Sequence, residues 1–411
     1  MLVLLFLLGL RQSLHSGITS GYALALLCTP LWVMLLRRFR GAVGLMTLGA
    51  LTLVSGFALQ QLAAADHAVS LNKQFESTAL LMGILAGAGV VLWARTVVPI
   101  ATVGAAFGAG MLAHGALFGA GAQNPWKNTW AIPLAITLLA VAAHDADLRP
   151  RRAAARGVAV LLLLTLVSAV SDSRSYSATF LICAILAAWQ ARPDAMSRRG
   201  SIALTISMLV GLSAATYWLG TRLLVSGYLG ANAQARTIEQ IDQSGSVILG
   251  GRPELQATLS LMRHRPLGFG VGVVPTDNDV LVAKRGLSSI NYNPNNGYVE
   301  KFMFGGHIEL HSLLGDLWAG WGVAGVLLLA LFVFHIVRAL AFTIKSGAPN
   351  PVLLFVSVWT LWNVLFSPIY SSAPTLIVAV GLALAARDRR PARPPAPVSP
   401  GAGVRRAAAR R

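Results

Sequence analysis

The stretch Ser312–Val337 reads SLLGDLWAGWGVAGVLLLALFVFHIV, with Asp316 its one carboxylate. It is longer than the roughly 20 apolar residues that cross a bilayer as a helix. Working outward, eleven more apolar runs separated by short polar clusters lie at about 1–10, 16–36, 41–62, 77–93, 97–119, 129–143, 157–170, 176–189, 201–219, 351–366 and 375–386. About twelve transmembrane helices are expected. Of the 411 residues, 55% are hydrophobic and 12% charged, and the mean hydropathy is +0.65. A soluble chain carries about twice that charge on its hydrated surface. An ordinary soluble protein, a disordered chain, collagen and a coiled coil are all excluded, and the expected class is an all-α polytopic membrane protein.

The first run has ten residues, about half a span. It lacks the basic flank and small-residue cleavage site of a signal peptide, so it reads as a tilted or incomplete span, or as the remainder of a longer one. The net charge of +18 would suggest nucleic acid in a soluble protein, but in a polytopic one basic residues first report topology, so no nucleic-acid partner is expected. Thirteen of them, Arg37, Arg38, Arg40, Arg95, Arg149, Arg151, Arg152, Arg156, Arg192, Arg198, Arg199, Arg338 and Lys345, fall in one set of short loops, against four in the other. The positive-inside rule then puts both termini in the cytoplasm and the long segment at about 220–310 outside it. The expected layout is transmembrane helices 1–9 over 1–219, an extracytoplasmic loop domain over 220–311, helices 10–12 over 312–386, and a disordered basic cytoplasmic tail over 387–411. Cys28 and Cys183 both lie in apolar runs and supply neither a disulfide framework nor a thiolate metal site.

A connection of about 90 residues among short ones is a functional element or a small domain. Its eight basic residues face seven acidic ones, so an anion site there must come from convergence of particular arginines. From Gly251 and Arg252 through Arg263, His264 and Arg265 the sequence predicts a short helix, opened by Pro253, ended by Pro266, with Leu255, Leu259 and Met262 as its apolar stripe. A helix N-terminus beside Arg252 is an anion-binding geometry, and Arg263 and Arg265 are further candidates. In Leu267-Gly268-Phe269-Gly270-Val271-Gly272 the alternating glycines permit close backbone approach to a ligand, or make a plain loop. The cluster from Asn291 to Tyr298 pairs Tyr292 and Tyr298 with Asn295, a set suited to sugar rings and hydroxyls, or to turn chemistry alone.

His307 and His311 stand four apart and would share a helix face, but Glu309 between them does not complete a zinc pattern, and no metal or cofactor is expected. His311, at the mouth of the Ser312 helix, is placed for general-base work or for helix capping. Arg174 sits in a short turn between two apolar helices, where a charge is costly unless paired, with Asp172 as the available partner. Asp145-Ala146-Asp147 falls on the cytoplasmic side, and Asp277-Asn278-Asp279 is read as a turn.

Ser173-Arg174, the segment from Gly251 to Gly270, and His311 followed by Leu314, Asp316 and Gly320, Gly322 and Gly325 together resemble the O-antigen ligase family, which includes O-antigen polymerases and pilin oligosaccharyltransferases. The likeness covers the order of these motifs from about 170 to 326, with the twelve-helix layout and the long loop. It implies a GT-C-like helical fold in the bacterial inner membrane and a metal-independent, inverting glycosyl transfer on the extracytoplasmic face. The implied donor is a glycan on a polyprenyl diphosphate and the acceptor a hydroxyl on a lipid, glycan or protein, as in lipopolysaccharide or other cell-envelope polysaccharide biosynthesis. By the same likeness His311 is the base, and Arg174 and Arg252 hold the diphosphate. Arg263 and Arg265 as diphosphate ligands, and Tyr292, Asn295, Tyr298 and His307 as glycan contacts, come from the residues themselves. Ser312 follows the histidine where the family often has Asn, which leaves ligase and polymerase both open. A lipid-linked glycan transporter is the competing expectation, and it would place ionisable groups deep within the helices.

Overall fold

The computed structural model describes residues 1–387 apart from 16, 147, 191–200, 229 and 347–349. The readings placed on Asp147, Arg192, Arg198, Arg199 and the tail after Arg387 lie outside the described residues. The chain is mostly helical. Its first part holds α1 (Leu2–Leu10), a hairpin of β1 (Ser13–His15) and β2 (Ile18–Thr19), α2 (Ser20–Leu27), α3 (Thr29–Val33), α4 (Ala42–Ala63), α5 (Leu71–Ala94) and α6 (Ile100–Phe118). Then follow α7 (Ala131–Ala142), α8 (Pro150–Val170), α9 (Arg174–Gln190) and α10 (Ile202–Val225). The long segment carries α11 (Ala231–Ser244), α12 (Val247–Gly251), α13 (Glu254–His264) and α14 (Asp277–Ser288), and α15 (Leu313–Ser346), α16 (Pro351–Phe366) and α17 (Ile369–Ala383) return to the bundle.

Each of the twelve apolar runs is helical. Among the described residues six helices, α4, α5, α6, α8, α10 and α15, are both long and apolar enough to cross a membrane. The bent pair Ser20–Leu27 and Thr29–Arg38, turned by 58°, makes a seventh if taken as one span. The other five runs form α1, α7, α9, α16 and α17, of 9, 12, 17, 16 and 15 residues. At about 1.5 Å per residue these fall short of a hydrocarbon core about 30 Å thick. α5 is the hub, with 72% of its most apolar window buried, whereas α10 has 6%. Val210, Trp218 and Leu219 stand exposed on α10. A helix so apolar on its outer side is stable only against lipid or another apolar surface.

The long segment is folded. Ala257 and Leu261 of α13, Val282, Ala283 and Leu287 of α14, and Val299 and Met303 form a second apolar cluster with Phe269 and Trp318. The α13 helix has the bounds that Pro253 and Pro266 predict, but its buried face is Glu254, Ala257, Thr258 and Leu261. Leu259 is exposed and Leu255 and Met262 are only half-buried. This corrects the expected stripe. Small side chains won the inner face because α14 crosses too closely for large ones: a Cβ on Gly286 would stand 2.5 Å from the Gln256 carbonyl oxygen.

The glycine segment is a loop whose close backbone approach is to other parts of the protein. Gly268, Gly270 and Gly272 all have φ between 75° and 103°. Added Cβ atoms would meet the Trp318 carbonyl oxygen at 2.4 Å, the Gln60 nitrogen at 2.3 Å and Gln74 at 2.6 Å. The segment is thus a strap pressed against α4, α5 and α15. Its amides donate to Ala319 and Gly56, and its Gly272 carbonyl accepts from Ser70. Opposite Gly268, α15 itself breaks at Gly322, with φ 63° and ψ −145°. Hydroxyls from α4 answer carbonyls beside the break: Ser55 donates to Trp321 O at 3.1 Å and Thr52 to Ala324 O at 3.2 Å. Freed carbonyls inside a membrane need such partners.

Candidate functional site

His307 and His311 do not share a helix face, because the chain from Gly305 to Ser312 is irregular, with Gly306 at φ 93°. A carboxylate brings them together. Glu309 Oε2 lies 3.3 Å from His307 Nε2, and its Oε1 lies 3.5 Å from His311 Nδ1. Burial alone would raise the Glu309 carboxyl, but the His307 hydrogen bond and the neighbouring His311 and Lys73 charges outweigh it, so it is held below the ordinary glutamate value. His311 itself is in the left-handed region, φ 53°, a strained position for a residue with a Cβ. Helix capping does not explain it. The Ser312 hydroxyl accepts from Gly315 N at 2.9 Å, and the Asp316 carboxylate takes the amides of Leu310 and Ile369 at 2.7 and 2.8 Å. His311 Nε2 meets the Phe302 carbonyl at 3.1 Å.

Arg252 pairs with its near neighbour Glu254 at 3.3 Å, and the Tyr298 hydroxyl donates to the other oxygen of that buried carboxylate at 3.0 Å. Burial and then the Glu254 charge push the Tyr298 hydroxyl upward. Tyr292 packs edge-on to Tyr298. Asn293 and Asn296 accept from backbone amides two residues on, which is turn chemistry, while Asn295 accepts from Lys284. Arg263 is exposed in the last turn of α13. Arg265 is committed elsewhere: its guanidinium grips Asp66 at 3.0 and 3.3 Å and the Gly268 carbonyl at 3.2 Å. Asp277 and Asp279 open α14 instead of making a free turn, Asp279 completing a capping box with Thr276. His67 then bridges Asp279 at 2.9 Å and Asp66 at 2.6 Å. Sequence reading missed this network because its members stand some two hundred positions apart.

Arg174 opens α9. It donates to Thr237 Oγ1 at 3.1 Å and to the Ala233 carbonyl at 3.2 Å, both on α11, and lies 3.8 Å from Asp172. The shorter contact of Asp172 is with Arg236, a residue that drew no notice in the sequence. Two guanidiniums therefore share one carboxylate. Both line a cavity of about 1080 Å³ between α8, α9, α10 and α11, whose walls include Leu181, Ile185, Leu212 and Leu219.

A second cavity, of about 500 Å³, is lined by the start of α5 with Lys73 and Glu76, the strap, His307 and Glu309, the broken part of α15, and Pro368–Tyr370. Of these two cavities Arg174 lines only the larger, and Arg252 and His311 line neither. They are joined through contacts instead. Arg174 holds α11 at Thr237, Gly250 of α12 packs against Gln240 one turn further on, and Arg252 follows α12 directly. Glu254, Tyr298 and Phe302 then lead to His311. Among the described residues no group of three or more His, Cys, Asp or Glu side chains is arranged to hold a metal ion. No family model, no curated protein and no solved structure matches the chain.

Proposed function

We propose that the protein is a membrane glycosyltransferase. It moves a glycan from a polyprenyl-diphosphate carrier to an acceptor hydroxyl on the extracytoplasmic face, in the manner of the O-antigen ligases its motifs resemble. The observation that carries this reading is the Arg174 cavity, whose apolar walls suit a polyprenyl chain and whose lining holds two permanent cations against one carboxylate. Guanidinium groups offer bidentate donors to phosphate and stay charged at any physiological pH. An unmatched pair beside a hydrocarbon-like groove is what a lipid with a multiply charged head requires. On this reading the twelve apolar runs lie in the membrane, the five short helices bridging it only with the residues that flank them, both termini are cytoplasmic, and α11–α14 form the extracytoplasmic unit.

The chemistry is one displacement. The acceptor oxygen attacks the anomeric carbon, its proton passes to His311 Nε2 once that nitrogen has left the Phe302 carbonyl, and the carbon–oxygen bond to the diphosphate breaks with the electron pair leaving on the phosphate oxygen. Arg174 and Arg236 stabilise that developing charge. Attack from the face opposite the leaving group inverts the anomeric centre. The donor diphosphate must come within reach of His311 for transfer, and α11, α12 and the Arg252–Glu254–Tyr298 contacts are what separate the two. Glu309 orients the His311 imidazole, and the strained backbone there suits a group held for reaction rather than for packing.

The test is transfer by purified protein from a lipid-linked glycan, with excess chelator present. The wild type transfers, and His311→Ala loses about 10² to 10⁴ in rate. A single product marks a ligase and a ladder marks a polymerase. Undiminished transfer by His311→Ala, a requirement for divalent metal, or movement of the donor across vesicles without any transfer would overturn the reading.

A further inference from the structure

The smaller cavity differs in kind from the one that Arg174 lines. Its three carboxylates, Glu76, Glu309 and Asp316, outnumber its one ammonium, Lys73, and each already has partners within the protein. Both Glu76 oxygens are taken, by Lys73 at 2.8 Å and Asn72 at 3.2 Å, and both Asp316 oxygens by backbone amides. Glu309 is held between the two histidines. Its one ammonium is already paired, so the wall offers nothing to an anion, while carboxylates with spare lone pairs, that ammonium and the Ser77 hydroxyl line it. His307 Nδ1 is buried without a hydrogen-bond partner, and a buried polar atom in that condition calls for one. Trp321 and Tyr370 add aromatic surface. At about 500 Å³ the volume lies in the range of small-ligand sites, roughly 300–1,000 Å³. Neutral hydroxyls satisfy such a wall, since each can donate to a carboxylate and accept from an ammonium or imidazole.

We propose that this cavity binds an uncharged sugar residue of the acceptor, with Glu309 shared between that sugar's pocket and His311. The assignment to an acceptor rests on the glycosyl-transfer reading; the sugar site itself is tested without it. The arrangement gives the two substrates opposite recognition: an anionic lipid at the arginine pair, and a neutral polyol among carboxylates that repel an anion.

The experiment uses the full chain in nanodiscs free of sugar-based detergent. Binding of methyl glycosides of glucose, galactose and mannose is measured by saturation-transfer NMR, with glucose 6-phosphate as the anionic probe. At least one methyl hexoside is expected to bind about tenfold more tightly than the sugar phosphate, and His307→Ala and Glu76→Gln to weaken it about tenfold or more. Failure of all three hexosides to bind, preference for the phosphate, or unchanged binding in both variants overturns the proposal. Ser77→Cys in a Cys28→Ser background gives a second measurement that leaves His307 in place. The bound hexoside slows maleimide labelling about tenfold, and labelling that ignores the sugar counts against the site. Sugar binding by a protein that transfers nothing keeps the site and removes the transferase, whereas transfer without sugar binding does the reverse.

Discussion

Two arginine clusters in this molecule use the same side chain to opposite ends. At Arg265 one guanidinium meets two carboxylates: it grips Asp66, and His67 ties Asp66 to Asp279. At Arg174 two guanidiniums share Asp172 beside an apolar groove, leaving a positive remainder. Sequence reading treated Arg174 and Arg265 alike, as anion ligands. What separates them is the number of carboxylates that the fold delivers to each, and only the remainder can recognise an outside anion.

The largest expected effect breaks the comparison at the open cluster. Arg174→Ala combined with Arg236→Ala removes both cations and should raise the KM for a lipid-diphosphate donor by about 10² or more, while the thermal midpoint stays near that of the wild type. A large fall in the midpoint with donor affinity intact would make the pair structural. At the closed cluster the expectation is reversed. His67→Ala leaves the buried Asp279 carboxylate short of a partner and should cost roughly 1–3 kcal/mol of stability, read as a lowered denaturation midpoint, with donor KM unchanged. A changed KM and unchanged midpoint would move this cluster to the site.

The smallest effect sharpens the same contrast through pH. The Arg265 hydrogen bond, and next the His67 one, hold the Asp66 carboxyl at about 2, below its ordinary 3.8. A carboxyl depressed in the folded state contributes stability that is complete above the unfolded value and disappears as the pH falls through the folded one. Thermal midpoints of the wild type and Asp66→Asn should therefore differ at pH 6 and converge between about 4 and 2. A difference independent of pH would show that the contact is not electrostatic.

The bundle was legible in the sequence because the physical demand is simple: a run of apolar residues in lipid must be helical, and all twelve runs are. The ends of α13 were legible for the same reason, since Pro253 and Pro266 act locally. Its buried face was not, because α14 selected small residues over Leu259. His311 stands out in the sequence by its place at the start of the long apolar run, but its tie to His307 through Glu309 depends on an irregular backbone that residue spacing cannot convey. Arg236 and His67 were missed because each acquires meaning only from a partner far along the chain.

The three-glycine strap has a mechanical consequence. Because its backbone touches those of α4, α5 and α15 at distances no side chain would tolerate, the α13–α14 unit is riveted to the bundle and cannot swing as a lid. The other flank is held less tightly: α10 turns most of its surface outward and α11 has only Ala233 and Thr237 buried. If the proposed lipid donor is the substrate, it enters past α10 and α11, with the riveted side as a fixed anvil.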